Sequence, residues 1–252
     1  MSWGLLLATA LAFPCDQATD AAVIGLATDP NTGVLQYCEH HYKIVAESTK
    51  QPPPPYSLPA EEVRVEYRSA DEKLMAVKLL NYQGENHAKP WLYQIDLRQG
   101  EVRQVEWLNN QLLLSYRPLE QRPFEQKSLP AQQVDIVDAG FDHFIRRHWN
   151  VLLMGETVSS RFASPLHLQP LSLRVRTHPL NECGAPLHPK AAYCLWVEAD
   201  SLWLRWLLQP LQLQYDVQQR LVRYRGVVNL VDAQGEPMTV NLDYRYCPCG
   251  PG

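Results

Sequence analysis

From Glu62 onward the sequence is a succession of short runs that alternate, or nearly alternate, apolar and polar side chains: VRVEYRS, KLMAVKLLNY, LYQIDLRQG, EVRQVEWL and QLLLSYRP. Alternation with a period of two puts one set of side chains on each face of a strand. Turn-forming groups interrupt the runs at intervals of about 10 residues. They are Ser69-Ala70-Asp71, Gly84-Glu85-Asn86, Gln99-Gly100 and Asn109-Asn110. Regular spacing of this kind argues an antiparallel sheet. The segment from Asp96 to Glu101 is predicted as a tight hairpin in which Gly100 supplies a positive φ.

One stretch breaks the pattern. In DAGFDHFIRRHWNVLLMGE (Asp138 to Glu156) the apolar residues Phe141, Phe144, Ile145, Trp149, Leu152 and Leu153 recur with helical spacing and make one stripe. Asp142, Arg146, Arg147 and Asn150 lie off it. The spacing predicts an amphipathic helix with Asp138 as N-cap, Asp142 near its positive end and Gly155 as the left-handed residue that ends it. A lone helix must bury its stripe somewhere, and the only large partner is a sheet.

Strands resume after the helix in SSRFAS, LSLRVRTHP, AYCLWVEAD, PLQLQYD, RLVRYRGVVNLVD and MTVNLDYRY, with a turn at Asp232 to Gly235. SLWLRWLLQ (Ser201 to Gln209) reads equally as a short helix or an apolar strand. Upstream, VLQYCEHHYKIVAE (Val34 to Glu47) is a first strand, with Tyr37, Glu39 and His41 on one face and Cys38, His40 and Tyr42 on the other. QPPPPYSLP (Gln51 to Pro59) has too few backbone donors to pair in a sheet and reads as a stiff polyproline connector, or as a ligand for an aromatic-groove domain.

The chain has 252 residues, 46% hydrophobic and 20% charged, which suits one large globular domain. A net charge of −4 without any basic block argues against a nucleic-acid partner. No apolar run reaches about 18 residues, so no spanning helix is expected in the mature chain. Residues 1–12 read as a possible signal peptide, since SWGLLLATALA ends in Ala10-Leu11-Ala12. Because no Lys or Arg precedes Lys43, a frayed apolar N-terminus is the other reading. Residues 13–33 are expected to form a flexible lead-in, 34–246 a single β-rich domain and 247–252 a tail. Six cysteines fit an oxidising compartment. Cys183 and Cys194 flank the turn-like ECGAPLHPKAAYC and are candidates for a disulfide, with free thiols or a metal as alternatives. The pairing of Cys15, Cys38, Cys247 and Cys249 is left open.

DAGFDHFIRRHW, taken with TGVLQYCEHHYKI, EYRS, the GE just past the helix and LVRYRGVVNLVDAQGEPMTVNLDY, resembles an uncharacterised family of exported bacterial proteins, over most of residues 33–246. The order of many strands, one central helix and a final hairpin is also similar to the half-barrel of periplasmic lipoprotein carriers. That likeness implies a mainly β, α+β fold: a curved antiparallel sheet or half-barrel wrapped on one central amphipathic helix around an apolar cavity.

Motifs of known chemistry are absent: no nucleophile elbow, P-loop or dinucleotide fingerprint occurs. His40 and His41 point to opposite faces of a strand and cannot easily share an ion, although Glu39 and His41 share a face. His143 and His148 are badly spaced for one ion on a helix. His167, His178 and His188, with Cys183 and Cys194, match no zinc-finger spacing. Asp135, Asp138 and Asp142 can be read as paired carboxylates or, two of them, as helix-capping groups. No catalytic residue, metal site or cofactor is expected. The aromatic residues Trp91, Trp107, Trp149, Trp196, Trp203 and Trp206 read as core, or as core that also lines an apolar pocket.

The leading expectation is an exported, periplasmic protein that binds an apolar or lipid-like ligand in a groove between sheet and helix. Its lining would be Phe141, Phe144, Ile145, Trp149, Leu152, Trp196, Trp203 and Trp206. The alternatives are a structural or interaction module of the cell envelope with a closed core, and a hydrolase whose site is not assembled from sequence. Oligomeric state is left open.

Overall fold

The computed structural model describes residues 15, 20–44, 61–82, 86–201, 209–232 and 234–247. In these residues the alternating runs form one sheet. Its first half holds β1 (Val23–Thr28), β2 (Leu35–Ile44), β3 (Glu61–Arg68), β4 (Leu74–Tyr82), β5 (Trp91–Asp96), β6 (Glu101–Leu108), β7 (Gln111–Arg117) and β8 (Glu125–Pro130). The second half holds β9 (Ile136–Val137), β10 (Val158–Ser164), β11 (Gln169–His178), β12 (Tyr193–Ala199), β13 (Leu211–Tyr215), β14 (Leu221–Val231) and β15 (Pro237–Tyr246). The spatial order is β8-β7-β6-β5-β4-β3-β2-β1-β15-β14-β13-β12-β11-β10-β9. Every neighbouring pair is antiparallel except β9 with β10.

This order forces curvature. The chain meanders out from β1 to one edge at β8, then enters β9 at the other edge after only residues 131–135. Six Cα steps span at most roughly 22 Å. Fifteen flat strands would be about 67 Å wide. The sheet must therefore curl until its edges approach. Accordingly Val134 and Val137 beside one edge, with Ala163 of β10, pack against Leu80, Leu92, Val105, Leu112, Leu114 and Leu129 from β4 to β8. Val137 N–H also donates to the Ala88 carbonyl at 2.9 Å.

The turns follow the expected chemistry. Gly100 has φ +76, and Asn109 and Asn110 both take positive φ between β6 and β7, as a two-residue hairpin with right-handed strand twist requires. Three strands stand where none was expected, one of them the two-residue β9 at the sheet edge. Residues 20–33 are not a lead-in throughout: β1 lies mid-sheet, between β2 and β15. A strand covered on both sides reads VIGLAT, without alternation. β8 reads EQKSLP and exposes its first four residues, so hydrophobicity does not mark it. Residues 1–12, QPPPPYSLP, Cys249 and residues 202–208 of SLWLRWLLQ lie outside the described residues.

The helix is shorter than expected and comes in two pieces, α1 (Phe141–Arg147) and α2 (Trp149–Leu153), separated at His148. Asp138 is not its N-cap. Asp138–Gly140 form a 3-10 turn, Gly140 occupies the cap position, and no side chain caps the first turn. Gly155, at φ +87, follows the helix as expected. Phe144, Ile145, Trp149 and Leu152 are buried, whereas Leu153 is 43% exposed and leaves the stripe.

Candidate binding sites

The helix stripe meets the sheet directly. Phe144, Ile145, Trp149 and Leu152 share one buried cluster with Ile136, Val175, Leu195, Val197, Leu213, Tyr215 and Ala88, and Phe141 packs on its margin. The Trp149 ring lies edge-on to Tyr193 and Tyr215, each centroid 5.2 Å away. Thr177 Oγ1 donates to the Leu152 carbonyl at 3.1 Å, which ties α2 to β11. Trp196 does not join this cluster. On β12 the inward positions are Leu195 and Val197, so Trp196 points to the other face and stacks on His178 at 4.1 Å. Trp203 and Trp206 lie outside the described residues.

The DAGFD segment owes its composition to this packing. Asp138 takes a left-handed φ of +37, a conformation that Asp tolerates better than most residues. Its carboxylate accepts from Lys78 Nζ at 2.6 Å and from Asn229 Nδ2 at 2.7 Å. Side-chain exposure is 6% for Lys78 and 4% for Asp138. Burial opposes charge on Asp138, but Lys78, Arg103 and Asn229 together hold its carboxyl below the usual carboxylate range. Burial likewise opposes the Lys78 ammonium, and Asp138 outweighs it, so the pKa of Lys78 is raised. Such a pair is structural chemistry: an ammonium bound this firmly does not serve as a base. Gly140 is required because a Cβ there would lie 2.1 Å from the Ala88 carbonyl oxygen. Phe141 contacts Phe144 and Phe162, and Asp142 accepts from Tyr215 OH at 3.0 Å and pairs with Arg146 at 2.7 Å.

The three aspartates thus have separate partners. Asp135 accepts from Nε and Nη2 on one edge of the Arg161 guanidinium, with 2.9 Å bonds that lower its pKa. They form no acid–base pair. Lys78 escaped sequence reasoning, although a charged residue between Ala76 and Leu80 on the inward side of an alternating strand is an exception that signals a buried partner.

A second polar group lines the inner face beside this pair. Glu39 accepts from His41 Nε2 at 3.0 Å and from Tyr244 OH at 3.4 Å. Burial, with Glu39 nearby, raises the pKa values of Tyr37, Tyr244 and Tyr224. Gly25 on β1 leaves room for this group, since a Cβ there would meet Leu242 at 2.9 Å and Glu39 at 3.2 Å. His40 faces the other way and contacts the Cys15 carbonyl at 3.1 Å. His143 packs against Tyr82 and His87, while His148 Nδ1 lies 2.9 Å from the Phe144 carbonyl. Among the described residues no group of three or more His, Cys, Asp or Glu side chains is placed to hold a metal ion.

Cys183 and Cys194 are joined, as expected, and Cys15 is joined to Cys38, with Cα separations of 5.6 and 5.7 Å. Cys247 carries a free thiol beside the cluster that contains Cys15 and Cys38. Among the described residues no helix is long and apolar enough to cross a membrane.

Among the described residues, two surface clefts are of note. One, of about 470 Å³, lies between the 97–100 turn and residues 117–121 and is lined by Leu97, Arg98, Arg117 and Leu119. The other, of about 260 Å³, is lined by Asn81, Asn86, Lys89, Trp91 and Trp107. Sequence reasoning placed both tryptophans among candidate core or pocket residues without connecting them. No protein-family model and no curated protein matches the chain.

Proposed function

We propose that this protein is an exported scaffold of the cell envelope, in keeping with the periplasm, that works as an interaction module with a closed core between helix and sheet. The observation that carries the reading is the burial of Phe144, Ile145, Trp149 and Leu152 directly against Val175, Leu195, Val197 and Leu213. An acyl chain could enter there only if the helix left the sheet, exposing those side chains at roughly 25 cal/mol per Å² of apolar surface. Two disulfides support export to an oxidising compartment. A lipid-carrying groove is the competing reading, and one titration separates the two. Micromolar addition of an environment-sensitive fatty-acid probe to folded protein should leave the probe's emission unchanged. A saturable rise in emission would replace the scaffold reading with the carrier one.

A further inference from the structure

The smaller cleft carries features that a closed scaffold does not need. Asn81 of β4 is the direct cross-strand partner of Trp91 of β5, so a carboxamide and an indole stand side by side on one face. Trp107 of β6 is fixed in orientation because its Nε1–H donates to the Lys89 carbonyl at 3.1 Å. Lys89 in turn places its ammonium 6.0 Å from the Trp107 ring centroid and 3.3 Å from the Ala131 carbonyl. Asn86 is held by Arg147, which donates to its Oδ1 at 3.0 Å, and in a planar amide this turns the Asn86 NH₂ the other way.

The polar groups that line the cleft are donors. Asn81 Nδ2 donates to Glu62 at 2.8 Å, and its Oδ1 is closed off from solvent. The Asn86 amide and the Lys89 ammonium remain as lining groups, so the occupant must combine acceptors with an apolar face for the indole. An acyl chain has no acceptor along its length, whereas a ring of hydroxyls and C–H groups has both features. A volume of about 260 Å³ is below the roughly 300–1,000 Å³ of sites for drug-sized ligands, which points to a single ring.

We propose that this cleft binds a saccharide, seating one pyranose unit with its C–H face on Trp91 and its hydroxyls on Asn86 and Lys89. Trp107 forms the far wall, and Lys89, whose pKa burial lowers, donates to ring hydroxyls as a weakly hydrated ammonium. This site does not depend on the scaffold reading, because it lies outside the helix–sheet core.

The test uses the full chain, with indole N–H resonances and calorimetry as readouts. Cellotriose, chitotriose, maltotriose and a galacturonic acid trimer are each titrated to about 10 mM, a range that captures weak single-ring contacts. At least one should shift a saturable set of indole signals, and Trp91→Ala should weaken that sugar about tenfold or more with the melting temperature held. If Trp91→Ala does not fold, Lys89→Ala carries the same expectation. Silence from all four sugars, or wild-type affinity in the folded variant, would overturn the proposal.

Discussion

Lys78 Nζ donates to Asp138 Oδ1 at 2.6 Å, across 60 residues of sequence, and so fastens the inner face of β4 to the turn that opens the helix. Asn229 of β14 takes the other oxygen of the same carboxylate. One buried side chain therefore joins the two halves of the curled sheet to the helix. This accounts for the first residue of DAGFD, and Gly140 accounts for the third. The segment is a structural fastening, and its sequence reflects close packing more than helix capping.

Gly140→Ala should be among the most damaging small substitutions. Its Cβ would lie 2.1 Å from the Ala88 carbonyl oxygen, and backbone on both sides must shift. A loss at or beyond the upper end of the usual overpacking range of about 1–3 kcal/mol is expected. Gly155→Ala meets no neighbour within 4 Å and bears only the strain of φ +87, about 1 kcal/mol. Urea unfolding ranks the two, and a milder effect at Gly140 would mean that the turn and Ala88 are not in contact.

The two aspartates of DAGFD should respond to pH in opposite senses. Burial works against the Asp138 charge, yet Lys78 and the other partners hold its pKa below the ordinary 3.8. The folded chain then binds that proton more weakly than the unfolded chain. Its stabilisation is present above about pH 4 and is lost as the pH falls through that region. Burial raises the carboxyl of Asp142 above 3.8, in spite of Arg146 and the Tyr215 hydroxyl. Its contribution is full below 3.8 and declines as the pH rises through the raised value. Asp142→Asn keeps an acceptor for Tyr215 and should leave neutral-pH stability unchanged or higher. Asp138→Asn should lower neutral-pH stability and flatten the acid side of the curve. Unfolding curves between about pH 3 and 7 that move both variants alike would contradict these assignments.

Trp149→Ala should cost about 3–5 kcal/mol, the range for a large buried aromatic. Leu153→Ala, at a position 43% exposed, should cost no more than about 0.5 kcal/mol. Chemical denaturation with comparable losses for both would place the buried face of the helix wrongly.

Alkylation under native, unreduced conditions should modify Cys247 and spare Cys15, Cys38, Cys183 and Cys194, all within 2% of complete burial. Replacing Cys183 and Cys194 together by Ser should cost about 2–3 kcal/mol, as loss of a short closed loop does. Ready labelling of either pair would refute its bridge.

Much of the sheet was legible because its strands solve the same problem: one face in, one face out. β4 and β5 keep that period most plainly, and Asn109-Asn110 and Gly100 mark turns with chemistry that few other residues supply. β1 was not legible because a strand covered on both faces loses its alternation, and β8 was not because an exposed edge strand needs no apolar face. The stripe through Phe144, Ile145, Trp149 and Leu152 was readable. The break at His148 and the exposure of Leu153 depend on where the sheet stops, which no local pattern records. Trp196 was misassigned to the helix-facing side because strand parity must be counted from Leu195, whose inward direction only the fold supplies. The fastening of Lys78 to Asp138 depends on how the sheet curls, and the pair Asn81 and Trp91 on the pairing register, neither of which a local pattern records.

The most direct test of the fastening is a double-mutant cycle on Lys78→Met and Asp138→Asn, followed by urea unfolding at neutral pH. Each single change strands a buried polar partner and should cost about 3–5 kcal/mol. The double variant removes the ammonium that must be desolvated along with the carboxylate that compensates it, so its loss should fall well below the sum of the two, with a coupling of at least about 1.5 kcal/mol. Additive losses would show that Lys78 and Asp138 act independently, and the fastening of sheet to helix through this pair would then be wrong.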